Sequence, residues 1–242
     1  TTWRGFGLKS NQWQAWGMEA QEEYSNSIRT YKLRGARITH SQEAAIERHW
    51  QRFGVEIGAQ AIDLHSLFPD LTHVVLEIGT GMGEATALIA EQFPETGFIA
   101  IEVHTPGIGA LLIKIAEGEL SNLRLLEDDA TVALRDSIPN HSINAFHIFF
   151  PDPWSKVRQR KRRIIQGPFL DILANKLKPN GRIHIATDWQ DYANYIKKVF
   201  LEHSAFEGGI VERPDWRPLT KFEGKGLRKD HNVTDFTYTL KS

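Results

Sequence analysis

Short apolar runs alternate with amphipathic segments along most of the chain from His73 onward. The apolar runs predict strands over Val74–Ile78, Phe98–Glu102, Leu123–Leu126, Ile143–Phe150, Arg182–Thr187 and Thr234–Leu240. The segments between them predict helices near Ala85–Phe93, Ile108–Glu119, Phe169–Leu177 and Asp191–His203. Strands that alternate with helices in this way indicate an α/β fold with a doubly wound, mostly parallel sheet.

The first part of the chain lacks this alternation. Residues 1–36 are polar with scattered aromatic side chains and show no sustained period of 3.6 or 2, which predicts a mobile N-terminal arm. A helical pattern then covers Gln42–Trp50, and Ser41 is its expected N-cap. We therefore predict an N-terminal helical arm, with the arm proper over 1–36, and one principal domain over 37–242.

Length and composition narrow the classes of protein. A chain of 242 residues, 41% hydrophobic, can bury one large core. No apolar run approaches the roughly 18 residues that span a bilayer, and the first residues lack the apolar core of a signal peptide, so we expect a cytoplasmic protein without a membrane partner. The absence of cysteine excludes disulfides, thiolate nucleophiles and Cys-ligated metals. The histidines lack metal-ligand spacing, so no metal is predicted.

Charge is concentrated locally although the net charge is only -1. The segment Lys156–Arg163, here called the basic ridge, follows directly after the acidic, aromatic turn Phe149–Ser155. Its cations are Lys156, Arg158, Arg160, Lys161, Arg162 and Arg163. This position favours contacts with the phosphates of a nucleic acid over the alternative, a merely solvated face.

A glycine-rich loop joins the first predicted strand to the first helix. Gly79, Gly81 and Gly83 let the backbone approach a ligand closely. Glu102 ends the second strand, where a carboxylate can accept both hydroxyls of a ribose. Glu77 would repel a pyrophosphate at the helix N-terminus, so the loop favours S-adenosylmethionine, which carries a sulfonium and an ammonium, over a dinucleotide.

The third strand is followed by another acidic cluster, which includes Asp128 and Asp129. Of these two we favour Asp129, directly before Ala130, as the acceptor for an adenine amino group. The alternative is that Asp129 caps the helix that begins near Thr131, and both roles are compatible.

Four motifs together resemble one family. They are Leu76–Gly83, Phe149–Lys156 with Lys161–Arg163, Ala186–Trp189 and Arg217–Glu223. In this order the chain resembles the bacterial tRNA (guanine-N7)-methyltransferases, class I enzymes that use S-adenosylmethionine, over about residues 37–240. Two positions depart from the usual pattern: Gln159 stands where the family usually has His, and Lys229-Asp230-His231 replaces a common Gly-His pair.

The resemblance implies a role for each matched residue. Glu77, Glu102 and Asp129, with the glycine loop, would hold S-adenosylmethionine, and Asp152 would be the catalytic position. The substrate contacts would be Lys156, Asp188, Thr220, Lys221, Phe222 and Glu223. The substrate would be tRNA, methylated at guanine 46 of the variable loop, and the enzyme would be a monomer or a homodimer.

The chemistry of guanine N7 explains what the turn must supply. N7 has an in-plane lone pair and no proton, so methyl transfer needs positioning and no general base. We expect Asp152 to orient the guanine through its N1–H and amino donors and to favour the positive charge that develops on the base. Pro151 and Pro153 restrict φ on either side of that carboxylate. Trp154 is either a stacking platform for the base or a core or rim residue.

Some assignments stay open on the sequence alone. Asp188 either faces the substrate or caps the following helix. The loop Thr220–Glu223, flanked by Gly and Pro, is either a clamp that closes on ligand or an exposed connector. The alternative functions are an exocyclic-amine methyltransferase acting on nucleic acid and a non-catalytic RNA-binding module; a nicotinamide-dependent oxidoreductase is disfavoured by the glycine spacing and Glu77.

Overall fold

The computed structural model describes residues 28–32, 37–58, 60–219, 223 and 232–241. Its centre is a seven-stranded sheet in the order β3-β2-β1-β4-β5-β7-β6. The strands are β1 (His73–Ile78), β2 (Thr96–Ile101), β3 (Leu123–Leu126), β4 (Ile143–Phe149), β5 (Leu177–Thr187), β6 (Phe206–Val211) and β7 (Thr234–Leu240). Strands β1 to β5 are parallel, and β7 runs antiparallel to both β5 and β6. The predicted mostly parallel sheet is confirmed.

Helices cover both faces of this sheet. They are α1 (His40–Phe53), α2 (Leu64–Leu67), α3 (Glu84–Gln92), α4 (Thr105–Glu117), α5 (Ala130–Asp136), α6 (Gly167–Lys176) and α7 (Gln190–Glu202), with a 3-10 helix over Val157–Arg162. Buried residues of α1, α3 and α4 form one apolar cluster, and those of α5, α6 and α7 form a second. The two clusters lie on opposite faces of the sheet, so the doubly wound prediction is also confirmed.

Strand β1 shows how the pattern of the chain produces this arrangement. Leu76 and Ile78 belong to one apolar cluster and Val75 to the other, because successive side chains of a strand point to opposite faces. A strand buried on both sides therefore has an almost continuous apolar run. Glu77 interrupts that run and is itself buried.

Two strands differ from the sequence prediction. Strand β5 begins at Leu177 and not at Arg182, so Pro179-Asn180-Gly181 lies within it. Asn180 adopts φ 59°, and the β4–β5 register shifts between Ile143 and Ala145, so an irregularity absorbs this segment. Strand β6 was not predicted, because Glu207-Gly208-Gly209 breaks its apolar pattern.

The N-cap of α1 is Thr39, so the prediction of Ser41 was wrong. The Thr39 hydroxyl accepts from the Gln42 amide at 3.3 Å, and the Gln42 side chain accepts from the Thr39 amide at 2.9 Å. This reciprocal capping box satisfies two backbone donors that Ser41, already inside the helix, could not reach in the same way.

Parts of the predicted arm lie outside the described residues, namely 1–27 and 33–36. The described part, Ile28–Lys32, contacts the turn after β4. A boundary between arm and domain at residue 36 stays a prediction. Across the described ranges, every helix is too short or too polar to cross a lipid bilayer.

Candidate active site

Acidic side chains gather at the carboxyl ends of five parallel strands. Glu77 lies in β1, Glu102 directly follows β2, and Asp129 follows β3. Asp152 and Asp188 follow β4 and β5. Strand β1 lies between β2 and β4, so the chain reverses its direction across the sheet at the β1/β4 pair. In open α/β sheets such a switch point forms a crevice outside the carboxyl ends, where ligands bind.

The glycine loop after β1 has a backbone that only glycine adopts readily. Gly79, Gly81 and Gly83 have φ values of 75°, 58° and 70°. No heavy atom lies within 4 Å of a Cβ built at Gly79 or Gly81, whereas a Cβ on Gly83 would come within 2.7 Å of Leu111. The first two glycines therefore leave open space, and the third lets α3 pack on α4.

Glu102 ties this loop to the end of β2. One of its carboxylate oxygens accepts from the Gly81 amide at 2.7 Å, and the other accepts from Val103 and His104 at 2.9 and 3.0 Å. Burial raises the pKa of Glu102, and these three amides partly offset that effect. A carboxylate offers about four acceptor sites, so about one remains for a hydroxyl of a bound ribose.

Glu77 is a buried acid behind the glycine loop. Its exposed fraction is 3%. Burial raises its pKa to about 8, and the negative charge of Glu102 adds to the shift. A cation bound at the crevice would favour the ionised form of Glu77, so the site is better suited to a positively charged ligand than to a phosphate.

Asp129 caps helix α5. Its Oδ1 accepts from the amides of Thr131 at 2.8 Å and Val132 at 3.4 Å. The capping alternative is therefore observed, and this cap uses Oδ1 and not the second oxygen, Oδ2. Tyr31, from the described part of the arm, is close enough for the charge of Asp129 to act on it. Burial raises the pKa of this phenol, and the charge of Asp129 raises it further.

The turn after β4 is held in an unusual backbone conformation. Phe150 and Trp154, on either side of Pro151–Pro153, have φ values of 50° and 44°. Left-handed φ at bulky residues is costly and persists only where surrounding contacts hold it. One such contact is the Phe150 amide, which donates to the Ala186 carbonyl at 2.8 Å. Backbone strain of this kind is concentrated at functional sites.

Asp152 is half-buried, and its Oδ2 accepts from the Lys32 amide at 2.9 Å. Trp154 is 3% exposed, and its indole N–H donates to the Thr30 carbonyl at 2.8 Å. The Arg162 guanidinium lies 3.9 Å from the centre of the Trp154 ring. Of the two alternatives for Trp154, the structure favours the buried rim residue over an open stacking platform.

The basic ridge divides into inward and outward cations. Arg163 is 1% exposed, donates to the Pro153 carbonyl at 2.9 Å and forms an ion pair with Asp191. Arg160 also pairs with Asp191, at 2.9 Å. Hydrogen bonding from Arg163 lowers the pKa of Asp191. Lys156, Arg158 and Lys161 are exposed and remain the best placed for phosphate contacts.

Comparison with known proteins identifies the family. A family model described as "Putative methyltransferase" matches residues 72–236. A tRNA (guanine-N(7)-)-methyltransferase of Nitrosomonas europaea is 46% identical over 215 residues, which cover 88% of this chain and 96% of that protein. One of Dechloromonas aromatica is 44% identical and covers 92% of both chains. The chain belongs to the tRNA (guanine-N7)-methyltransferase family.

Solved structures agree on the fold. The crystal structure of the 16S rRNA methyltransferase KamB superposes with a TM-score of 0.55 at 18% identity, covering 74% of this chain and 93% of that one. TrmN from Thermus thermophilus gives a TM-score of 0.51 at 16% identity, over 83% of this chain and 48% of that one. These likenesses show that this chain has the class I methyltransferase fold.

Two of the predicted substrate-binding residues, Asp188 and Glu223, lie in different environments. Asp188 is half-buried beside Trp189, which occupies the N-cap of α7 without a side-chain cap, so Asp188 does not cap that helix. Glu223 is buried, and both of its carboxylate oxygens accept from Arg217, at 2.8 and 2.9 Å. Thr220, Lys221 and Phe222 lie outside the described residues.

Sequence reasoning missed the residues that anchor the C-terminal loop of the methyltransferase. Arg217 donates to both oxygens of Asp235 in β7, at 2.7 and 2.9 Å, and His184 in β5 contacts Asp235 at 2.8 Å. All three are buried. The only sequence signal was an arginine at the start of the Arg217–Glu223 motif, because Asp235 and His184 meet it through the β5–β7 pairing.

Proposed function

We propose that this protein transfers a methyl group from S-adenosylmethionine to N7 of a guanine in tRNA, and that the target is guanine 46 of the variable loop. The observation that carries the proposal is the placement of acidic side chains and the exposed cations of the basic ridge at one edge of the sheet. Membership of the tRNA (guanine-N7)-methyltransferase family supports it, because relatives that match almost their whole length carry that name.

The residues of the crevice fit S-adenosylmethionine. When bound, this cofactor supplies an electrophilic methyl group on a sulfonium. The open space at Gly79 and Gly81 leaves room for it beside the backbone. Glu77 suits its cationic centres, Glu102 a ribose hydroxyl and Asp129 its adenine amino group. A pyrophosphate would meet the acids Glu77 and Glu102 instead of free amides, which disfavours a dinucleotide.

The turn after β4 suits the acceptor base. Asp152 has its Oδ1 free of the Lys32 contact and can accept from the N1–H and amino group of guanine. A carboxylate so placed also favours the positive charge that the purine gains as the N7–methyl bond forms and the sulfur–methyl bond breaks, which would leave a neutral thioether. No residue has to remove a proton, because N7 has none. The exposed cations Lys156, Arg158 and Lys161 bind the surrounding phosphates.

The decisive experiment maps the methyl group. Unmodified tRNA is incubated with the protein and labelled S-adenosylmethionine and then treated with aniline, which cleaves the chain at N7-methylated guanines. Cleavage at one position of the variable loop is the expected result. Label in an exocyclic amine, without aniline cleavage, would instead support an amine methyltransferase, and tight tRNA binding without label would support a non-catalytic module.

A further inference from the structure

A short segment lies on the turn that carries Asp152, although the two are about 120 residues apart in the sequence. Three hydrogen bonds hold the segment Ile28–Lys32 there. The Lys32 amide donates to Asp152 Oδ2 at 2.9 Å, the Trp154 indole donates to the Thr30 carbonyl at 2.8 Å, and Arg162 Nε donates to the Arg29 carbonyl at 2.7 Å. Three of its five residues, Arg29, Thr30 and Lys32, are therefore fixed through their backbone.

Trp154 is the centre of this contact. An indole has one donor and no acceptor, and the Trp154 donor is used by Thr30. The faces of its ring are also engaged, since the Arg162 guanidinium lies 3.9 Å and the Lys32 ammonium 5.3 Å from the ring centre. A tryptophan surrounded in this way is a receptor for the segment and has no open face for a base.

Asp152 gains a fixed orientation from the same contact. A carboxylate on a short side chain rotates about its terminal torsion unless a donor holds it. Among the described residues, the hydrogen bond to this carboxylate is the one from the Lys32 amide to Oδ2. The acceptor sites that this bond does not use are those that we expect a guanine to occupy.

The segment also lines a cavity that includes one of the proposed cofactor residues, Asp129. A cavity of about 220 Å³ lies between the segment and helices α5 and α6. Ile28 and Thr30 line it on one side, and Asp129, Val132 and Phe169 on the other. The segment thus bonds to the residue proposed to hold guanine and shares a cavity with the residue proposed to face adenine.

We propose that Ile28–Lys32 is a positioning element of the active site: the Lys32 amide sets the orientation of the Asp152 carboxylate, and Trp154 and Arg162 hold the segment in place. The inference rests on the proposed function, because the value of a fixed Asp152 is the guanine that it receives. Displacing the carboxylate by about 1 Å is enough to cost a large factor in turnover.

Trp154→Phe tests this directly, because phenylalanine keeps an aromatic face but lacks the indole donor. Trp50→Phe is the matched control: Trp50 donates from its indole to Glu56, also at 2.8 Å, on helix α1 away from the turn. We expect Trp154→Phe to lower kcat about 10-fold or more with the KM for S-adenosylmethionine within about twofold of wild type. Trp50→Phe is expected to leave both constants unchanged.

Cleavage by trypsin after Arg29 and Lys32, followed by mass spectrometry, reports the segment independently of activity. We expect faster cleavage at these two sites in Trp154→Phe and an unchanged rate in Trp50→Phe. Unchanged cleavage with kcat within twofold would overturn the proposal. A raised KM for tRNA with unchanged cleavage would also overturn it, because that result is expected if Trp154 stacks on the base and does not hold the segment.

Lys32→Pro provides a second test that leaves the domain intact, since proline lacks the amide donor. It should lower kcat to a similar extent, and the double variant with Trp154→Phe should be no worse than the more severe single variant. Fully additive losses would contradict a shared role. If wild-type protein formed no N7-methylguanine, the proposed function would fail, while the trypsin result would still show whether the segment docks on Trp154.

Discussion

The glycine loop after β1 and the basic ridge after β4 lie at the same edge of the sheet and carry opposite charges. The acids beside the glycine loop, Glu77 and Glu102, are buried, and Glu102 accepts from backbone amides of that loop and of the segment after β2. The cations of the ridge are held mostly by side chains and carbonyls of distant segments, such as Asp191 and Arg29. The cofactor side is therefore built locally, and the tRNA side depends on tertiary contacts.

The largest effect on the tRNA side is expected for Asp152→Asn, which keeps the shape of the side chain and should leave the cofactor side unchanged. We expect kcat to fall by about 100-fold or more at saturating tRNA, because the amide supplies no negative charge to the developing cation and presents a donor to the guanine donors. S-adenosylmethionine affinity, measured by calorimetry, should stay within about twofold of wild type. Full turnover of Asp152→Asn at saturating tRNA would remove Asp152 from its assigned role.

The next largest effect is a loss of folding stability, which we expect when a buried cation of the basic ridge is removed. Arg163→Ala should lower the free energy of unfolding by about 2–3 kcal/mol, because it leaves the Pro153 carbonyl and Asp191 without their buried partner. Arg158→Ala is the control, since that side chain is exposed and should change the same quantity by less than about 0.5 kcal/mol. Urea denaturation measures both, and equal losses would contradict a division into inward and outward cations.

The two sides also differ in how far the sequence predicted them. Glu77, Glu102 and Asp129 were found from rules that relate strand ends to helix starts, and the structure brings them to one edge. The role of Arg163 could not be found in this way, because its partner Asp191 lies 28 residues further along the chain. The contact of Lys32 with Asp152 spans 120 residues and left no periodic signal.

The same reason explains the C-terminal loop. The motif Arg217–Glu223 suggested a clamp of substrate contacts, yet Glu223 is buried against Arg217. Which member of a motif faces a ligand and which fixes the loop depends on residues that pair across β5 and β7. Sequence pattern gives the strands of that pairing but not the side chains that meet beneath the loop.

A pH-dependent effect is expected on the cofactor side. The pKa of Glu77 is raised to about 8 by burial, and a cationic ligand favours its ionised form. The affinity for S-adenosylmethionine should therefore increase as the pH rises toward 8 and then level off, with proton release on binding below that pH. Calorimetry in buffers of different ionisation enthalpy measures this release, and an affinity independent of pH between 6.5 and 8.5 would refute it.

Glu77→Gln tests how the raised pKa of Glu77 affects the stability of the fold. Because the folded pKa of Glu77 is above its usual value of 4.5, the carboxyl's contribution to stability is fully present below that value and is lost as the pH rises to about 8. The glutamine variant lacks this loss, so its Tm at pH 8 should be about 2–4 °C above wild type, while S-adenosylmethionine binds about tenfold more weakly. Glu47→Gln, at an exposed position of α1, is the control for both measurements.

The smallest effects are expected for single outward cations of the ridge. Arg158→Ala and Lys161→Ala should each weaken tRNA binding only severalfold, and each should reduce the slope of log affinity against log salt by about 1, because each removes one phosphate contact. Lys198→Ala, an exposed cation of α7 outside the ridge, is the control and should leave the slope unchanged. Slopes that did not distinguish these variants from the control would mean that tRNA approaches the crevice from another side, even though the acids beside the glycine loop were correctly assigned.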